Sequence, residues 1–295
     1  MAKDNISIRL QGHEKFALRD GWLNKGLNQI EDNPHVFQGK EGPDILGIGN
    51  NMVKSLRYWL NAFELIEEKP GKGASLSSFG QIIKQYDPDF EDIFTIWLLH
   101  SKIANNSSQA TTWYLFFNKC DIEEFDKEEL IKILTRELKK YAVGKSFSEQ
   151  SLANDVDVLL NMYGKDKKIE DPEDKNVSPL AQLGLIGKND GKYVKKRADR
   201  RKFGEWILLY ELAGIFEKEK SISIDAIAGT MDCIASVYNL SRILINELLD
   251  IISSMGYIYV NRTAGLDVIY KNDEKTMCQL EIIKEYYEKH IREIL

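Results

Sequence analysis

The chain has 295 residues, about twice the length of an average single domain, so two or three modules are expected rather than one core. A hydrophobic content of 43% with six prolines excludes a mainly disordered chain. The formal charge of −6, from 40 basic against 46 acidic side chains, excludes a uniformly cationic nucleic-acid coat and leaves the distribution of charge to decide.

In chain order, ISIRL (6–10) alternates as a short strand does, and EKFALRDGWLNKGLNQI (14–30) takes up a helical pattern. A glycine-rich stretch with one proline, QGKEGPDILGIGN, interrupts at 38–50. From Asn50 the residues Met52, Val53, Leu56, Tyr58, Trp59, Leu60, Phe63 and Ile66 predict one helix with a broad apolar face, capped by Asn50 or Asn51 and running to about Leu65. ELIEEKPGKGASLSSFGQII (64–83) then predicts a strand, a Pro-Gly-x-Gly turn, a second strand and another helix. A helix that runs into a hairpin with a basic tip is how a winged helix-turn-helix is built, the helix entering a major groove and the wing reaching backbone.

Residues 90–165 read as wholly helical, and the charged, proline-containing GKDKKIEDPEDKN (164–176) reads as a linker. LAQLGLIGKNDGKYVKKR (180–197) predicts a basic hairpin behind a helix at 178–184. Near the end, SISIDAIAG (221–229) predicts a strand and helix, NLSRILINELLDIISSMG (239–256) a longer helix, and YIYVNRTAGLDVIYK (257–271) two strands around a Thr-Ala-Gly turn. The expected fold is mainly α, with winged helix-turn-helix modules and short hairpin wings flanking a helical middle domain. The expected boundaries are 1–88 for the first winged module, 89–165 for the helical domain, 166–215 for linker, basic hairpin and helix, and 216–295 for the second winged module.

The sharpest charge feature is Lys188 to Lys202, where Lys188, Lys192, Lys195, Lys196, Arg197, Arg200, Arg201 and Lys202 face only Asp190 and Asp199. Such a run would neutralise phosphates, or it is a solvated face balanced by the acidic linker upstream. In the first module Asn50, Asn51, Lys54, Arg57 and Asn61 could meet base edges or phosphates, with Lys69 and Lys72 on the wing. The corresponding set in the last module is Asn239, Ser241, Arg242, Asn246, Asn261 and Arg262, but Glu247 and Asp250 on the same helix would repel phosphate. Winged modules also serve as protein docking units, so scaffolding without nucleic acid stays open.

Catalytic signals are weak. Cys120, Cys233 and Cys278 and the scattered His13, His35, His100 and His290 form no disulfide framework or zinc spacing. EGPDILGIGNN is a tight turn before a helix rather than a dinucleotide fingerprint, and VGKS (143–146) lacks the upstream glycine of a P-loop. A metal-dependent nuclease would need clustered carboxylates; Asp155 and Asp157, two apart, fall on different faces of a helix. The five tryptophans sit in apolar helical patterns and read as core. No catalytic residue, metal site or cofactor is therefore expected. No run approaches the roughly 18 to 20 apolar residues of a membrane span, and MAKDNISIRL has no signal profile, so a cytoplasmic location is expected.

The strings FALRDGWLNKGL (16–27), LGIGNNMVKSLRYWLNAFELIE (46–67), DPDFED with TIWLLH (87–100), NDVDVLLNMY (154–163) and SPLAQLGLI (178–186) resemble, in order, the landmarks of the DUF4007 family of bacterial proteins. The resemblance implies no biochemical activity. It implies a setting, because the family is similar to proteins encoded in bacterial defence neighbourhoods, often beside sulfurtransferase-like reductases of the type used in DNA phosphorothioation. The resulting expectation is a non-catalytic DNA-binding or adaptor component of a DNA-modification or anti-phage system. Its expected partners are double-stranded DNA and a sulfurtransferase-like or other defence protein, with no membrane.

Overall fold

The computed structural model describes residues 6–164, 177–263 and 266–294. The expected linker, beyond Gly164, and the Ala-Gly of the last hairpin turn lie outside the described residues. Helices dominate, the described strands form small antiparallel sheets, and the chain divides into two compact units, the first ending at Lys196 and the second starting at Arg197.

In the first unit the alternation of residues 6–10 does not produce a strand. Their polar groups are met from elsewhere: Arg9 N–H donates to Thr111 Oγ1 at 2.9 Å, and Lys145 Nζ donates to the Ile6 carbonyl. Residues 11–15 bend and turn, with Gln11, Glu14 and Lys15 in the left-handed region, and 16–19 are irregular, so the helical pattern is realised only as α1 (Trp22–Asp32). The glycine-rich interruption forms α2 (Gly42–Leu46), with Pro43 in its first turn and left-handed Gly47 closing it.

Next comes α3 (Asn50–Ala62), whose N-cap is Gly49 rather than an asparagine. It ends earlier than its apolar pattern suggests because Glu64 adopts φ 56° and Leu65 N–H turns back to the Leu60 carbonyl at 2.9 Å. The hairpin β1 (Ile66–Lys69) and β2 (Gly73–Leu76) follows, then α4 (Ser78–Tyr86), capped by Ser77 Oγ accepting from Gly80 N–H at 2.9 Å. Gly73 has φ 79°, and a side chain there would run into the Pro34 carbonyl.

The middle of this unit is built on α5 (Ile93–Asn105), α6 (Thr111–Tyr114) running into a π turn (Leu115–Lys119), α7 (Lys127–Tyr141) and α8 (Glu149–Gly164). It is not wholly helical: β3 (Glu124–Phe125) pairs with β5 (Lys192–Lys195), which also pairs with β4 (Ile186–Asn189), giving the order β3-β5-β4. Two residues carry too little alternation for β3 to be visible as a pattern. The expected helix at 178–184 is a 3-10 turn, Pro179–Leu183. The core holds Trp59, Trp97, Trp113, Phe63, Phe116, Phe117, Phe125 and Tyr163, all essentially without solvent contact.

The second unit runs α9 (Glu205–Phe216), β6 (Ser221–Ser223), α10 (Ile224–Ile227), α11 (Ile234–Tyr238), α12 (Arg242–Ser254), β7 (Ile258–Thr263), β8 (Leu266–Lys271) and α13 (Gln279–Ile294). Its sheet order is β6-β8-β7, so the strand before the helices pairs with the last strand of the hairpin. Leu248, Leu249 and Ile252 of α12 and Ile269 of β8 are buried in its core, as is Trp206 of α9.

Candidate nucleic-acid interface

The N-terminal end of α3 is presented by a local device. Gly47 ends α2 and Gly49 starts α3, so the two helices meet through a tight turn, and Gly49 has no side chain to cap the first amides. An uncapped helix N-terminus keeps N–H donors and a partial positive charge available to an anion. Asn50, Asn51 and Lys54 are exposed there, with Lys54 Nζ 3.4 Å from Asn51 Oδ1.

Arg57 is differently employed. Its Nε and Nη2 donate to the two carboxylate oxygens of Glu68 on β1, at 2.7 and 3.0 Å, and Asn61 Nδ2 donates to the Arg57 carbonyl at 2.9 Å. Arg57 therefore ties the hairpin to α3, and Asn61 Nδ2 also reaches Glu68 Oε2, at 3.5 Å. At the hairpin tip Lys72 is exposed, and Lys69 lies 3.5 Å from Glu67.

The residues of the basic run are divided between the two units and are differently engaged. Lys188 lies over the Tyr193 ring at 5.0 Å, and Lys192 pairs with Glu124 at 3.2 Å. Lys195 turns inward: its Nζ lies 5.3 Å from the Phe116 ring and donates to the Cys120 carbonyl at 3.2 Å. Burial holds this ammonium below the usual lysine range. Burial likewise pushes the neighbouring Cys120 thiol up to about 12. Lys196 is exposed at the end of the first unit.

In the second unit Arg197 and Lys202 are exposed, and Arg200 lies 4.0 Å from Glu205. Arg201 makes a fork with Asp199, with Nη2 at 2.7 Å, and this hydrogen bonding holds the Asp199 carboxyl down to about 2. On the second helix-hairpin, Arg242 pairs with Asp225 and lies 3.3 Å from Asp267, while Arg262 donates to Asp250 at 2.7 Å and to Asn246 at 3.2 Å. The remaining polar candidates are spent locally: Ser241 Oγ caps Leu244 N–H, Asn239 takes the left-handed turn before it, and Asn261 Oδ1 accepts from Thr263 N–H. Besides the paired Arg242 and the terminal Ser254, α12 exposes Ile243, at 73%, with Glu247 and Asp250.

Two features escaped the sequence reading. One is a buried polar network in the first unit: Asp155 Oδ1 accepts from Gln11 N–H at 2.7 Å and from His13 Nε2 at 2.8 Å, and Thr112 Oγ1 donates to Oδ2 at 2.6 Å. Because His13 Nδ1 accepts from Lys15 N–H at 3.1 Å, the ring is the Nε2-protonated tautomer. His13 stacks on Trp59 with centroids 5.6 Å apart. Asp157 points elsewhere, pairing with Lys127 at 2.5 Å. The other is a hollow of about 480 Å³ on α7 lined by Lys132, Thr135, Arg136, Lys139 and Lys140. Its signal was present in the sequence as cations at i, i+4, i+7 and i+8.

The model of a protein family of unknown function, DUF4007, matches residues 10–287. Two crystal structures of SspB share the fold. The magnesium-bound one superposes with a TM-score of 0.83 at 23% identity, covering 95% of this chain and 88% of that one, and the other gives 0.85 at 23%, covering 96% and 89%. No curated protein matches the chain. Magnesium is a property of that relative's crystal. Among the described residues here, no three His, Cys, Asp or Glu side chains come together in a way that would cage a metal ion. No helix among them is long and apolar enough to cross a membrane.

Proposed function

This chain belongs to the DUF4007 family, and on that premise we propose that it is a non-catalytic component of a bacterial DNA-modification or anti-phage defence system that binds double-stranded DNA through its N-terminal helix-hairpin. The observation that carries this reading is the uncapped start of α3, where Asn50, Asn51 and Lys54 are exposed. In this reading α1 to β2 form a winged helix-turn-helix, α3 enters the major groove by its first turns, and Lys69 and Lys72 meet phosphate. The Arg57–Glu68 fork holds wing and helix in one orientation. The setting is supported by the family's resemblance to defence-neighbourhood proteins and by the SspB-like fold.

The second helix-hairpin supports a different use of the same architecture. Its arginines are neutralised by Asp225, Asp267 and Asp250, and Ile243 and Glu247 are left outward on α12, which favours a protein partner over phosphate. A sulfurtransferase-like enzyme or another defence protein is the partner proposed for it.

Fluorescence anisotropy with labelled duplex tests the main reading. Asn51→Ala with Lys54→Ala should weaken binding by about 1 to 3 kcal/mol per lost bidentate base contact and flatten sequence preference. Unchanged affinity and preference in a folded variant would overturn it. Ile243→Ala with Glu247→Ala should leave DNA affinity intact and abolish co-purification with the partner.

A further inference from the structure

On α7, Lys132, Arg136, Lys139 and Lys140 fall within an arc of about 100° of the helix and extend over about 12 Å of its length. Duplex DNA carries a phosphate every ~3.4 Å per strand, so that length faces about three to four phosphates. The hollow is open and shallow rather than enclosed, and it shares Lys140 with a second hollow of about 370 Å³ lined by Ile6, Leu115, Lys119, Glu137, Lys140 and Tyr141. Lys145 stands at this end as well, donating to the Ile6 carbonyl that borders the second hollow.

The acids offset this charge only in part, two carboxylates standing against the four cations. Glu128 and Glu129 occupy the opposite, first turn of α7. Glu137 is held between Arg136 Nε at 3.0 Å and Lys140 Nζ at 2.9 Å, and Glu149 comes only to 3.7 Å of Lys139. No ion pair of Lys132 is found among the described residues.

We propose that the last turns of α7 bind the phosphate backbone of a nucleic-acid strand, as a second contact separate from α3. A row of cations along an open trough fits a repeating polyanion better than a single small anion, which would need an enclosed pocket with convergent donors. The proposal rests on the DNA-binding reading above, to which it adds a second contact.

The test is the salt dependence of duplex binding by the full chain. Lys132→Ala with Lys139→Ala, which leaves Glu137 its partners, should lower the log-log slope by roughly 1.8, and adding Arg136→Ala and Lys140→Ala should bring the loss to roughly 3.6. Lys218→Ala with Lys220→Ala removes equal charge from the second unit and should leave the slope unchanged; an equal drop there would reduce the effect to net charge and overturn the site. If the fourfold variant melts early by circular dichroism, the double variant decides.

An unchanged slope in the α7 variants with weakened binding in the Asn51/Lys54 variant refutes the α7 contact and leaves the α3 reading standing. A lowered slope in the α7 variants with full affinity in the Asn51/Lys54 variant does the reverse. Absence of duplex binding by the parent chain overturns both.

Discussion

Asp155→Ala should cost the first unit about 3 to 5 kcal/mol, the penalty of breaking a buried hydrogen-bonded ion or polar pair by removing one partner. The carboxylate is 1% exposed and serves three donors, Gln11 N–H, His13 Nε2–H and the Thr112 hydroxyl. Each donor stranded without an acceptor costs roughly 1 to 3 kcal/mol, and the three share one network, so the sum is less than additive. Asp155→Asn keeps the volume and one acceptor, and the Thr112 hydroxyl can rotate to accept from the new amide, so its cost should fall to about 1 to 3 kcal/mol. Urea titration followed by tryptophan fluorescence reads the transition directly, because Trp59 and Trp113 have ring centroids 5.6 and 5.8 Å from His13. A loss below about 1 kcal/mol for Asp155→Ala would mean that water replaces the carboxylate, and would refute the view of this network as a sealed tie.

Native protein should expose Cys233 and Cys278 to a thiol reagent at pH 8, while Cys120, with its thiol pushed up to about 12, should react only after unfolding; rapid titration of all three would show that site to be open. Asp199, depressed from 3.8 to about 2 by Arg201, should contribute stability that is present above about pH 4 and lost as pH falls through about 2; a carboxyl titration by carbon NMR with a midpoint near 4 would contradict the fork, and Arg201→Ala should produce that midpoint deliberately. Supercoiled plasmid incubated with the protein and magnesium should remain closed, and accumulation of a nicked form that chelator suppresses would overturn the non-catalytic reading.

Much of the local architecture was legible because it is written in short-range chemistry. The glycines at 47 and 49 mark the break between α2 and α3, and the Pro-Gly-Lys-Gly turn at 70–73 and the Asn-Asp-Gly turn at 189–191 each mark a chain reversal that the structure makes. The site was less legible because the deciding partners are distant in sequence. Arg242 and Arg262 read as free cations until Asp225, Asp267 and Asp250 close on them across the fold. Lys195 read as surface charge, yet it lies two residues from Tyr193, whose ring stacks on Phe125, and so shares the inner face of its strand. Asn50 was a sound expectation for a cap, but the turn after Gly47 brings Gly49 to that position instead.

The tie between His13 and Asp155 spans 142 positions, and two further bonds reach as far in kind: Arg9 N–H to Thr111, and the Tyr58 hydroxyl to the Gln109 carbonyl. During synthesis, therefore, α3 leaves the ribosome long before the residues that seat its aromatic underside have been made. Until α8 emerges, Tyr58 and Trp59 have no finished pocket, and such long-range closure slows folding and lengthens the time that apolar surface is bare. A chain interrupted before residue 155 would carry the exposed Asn50, Asn51 and Lys54 of α3 on a core still missing the carboxylate that holds His13.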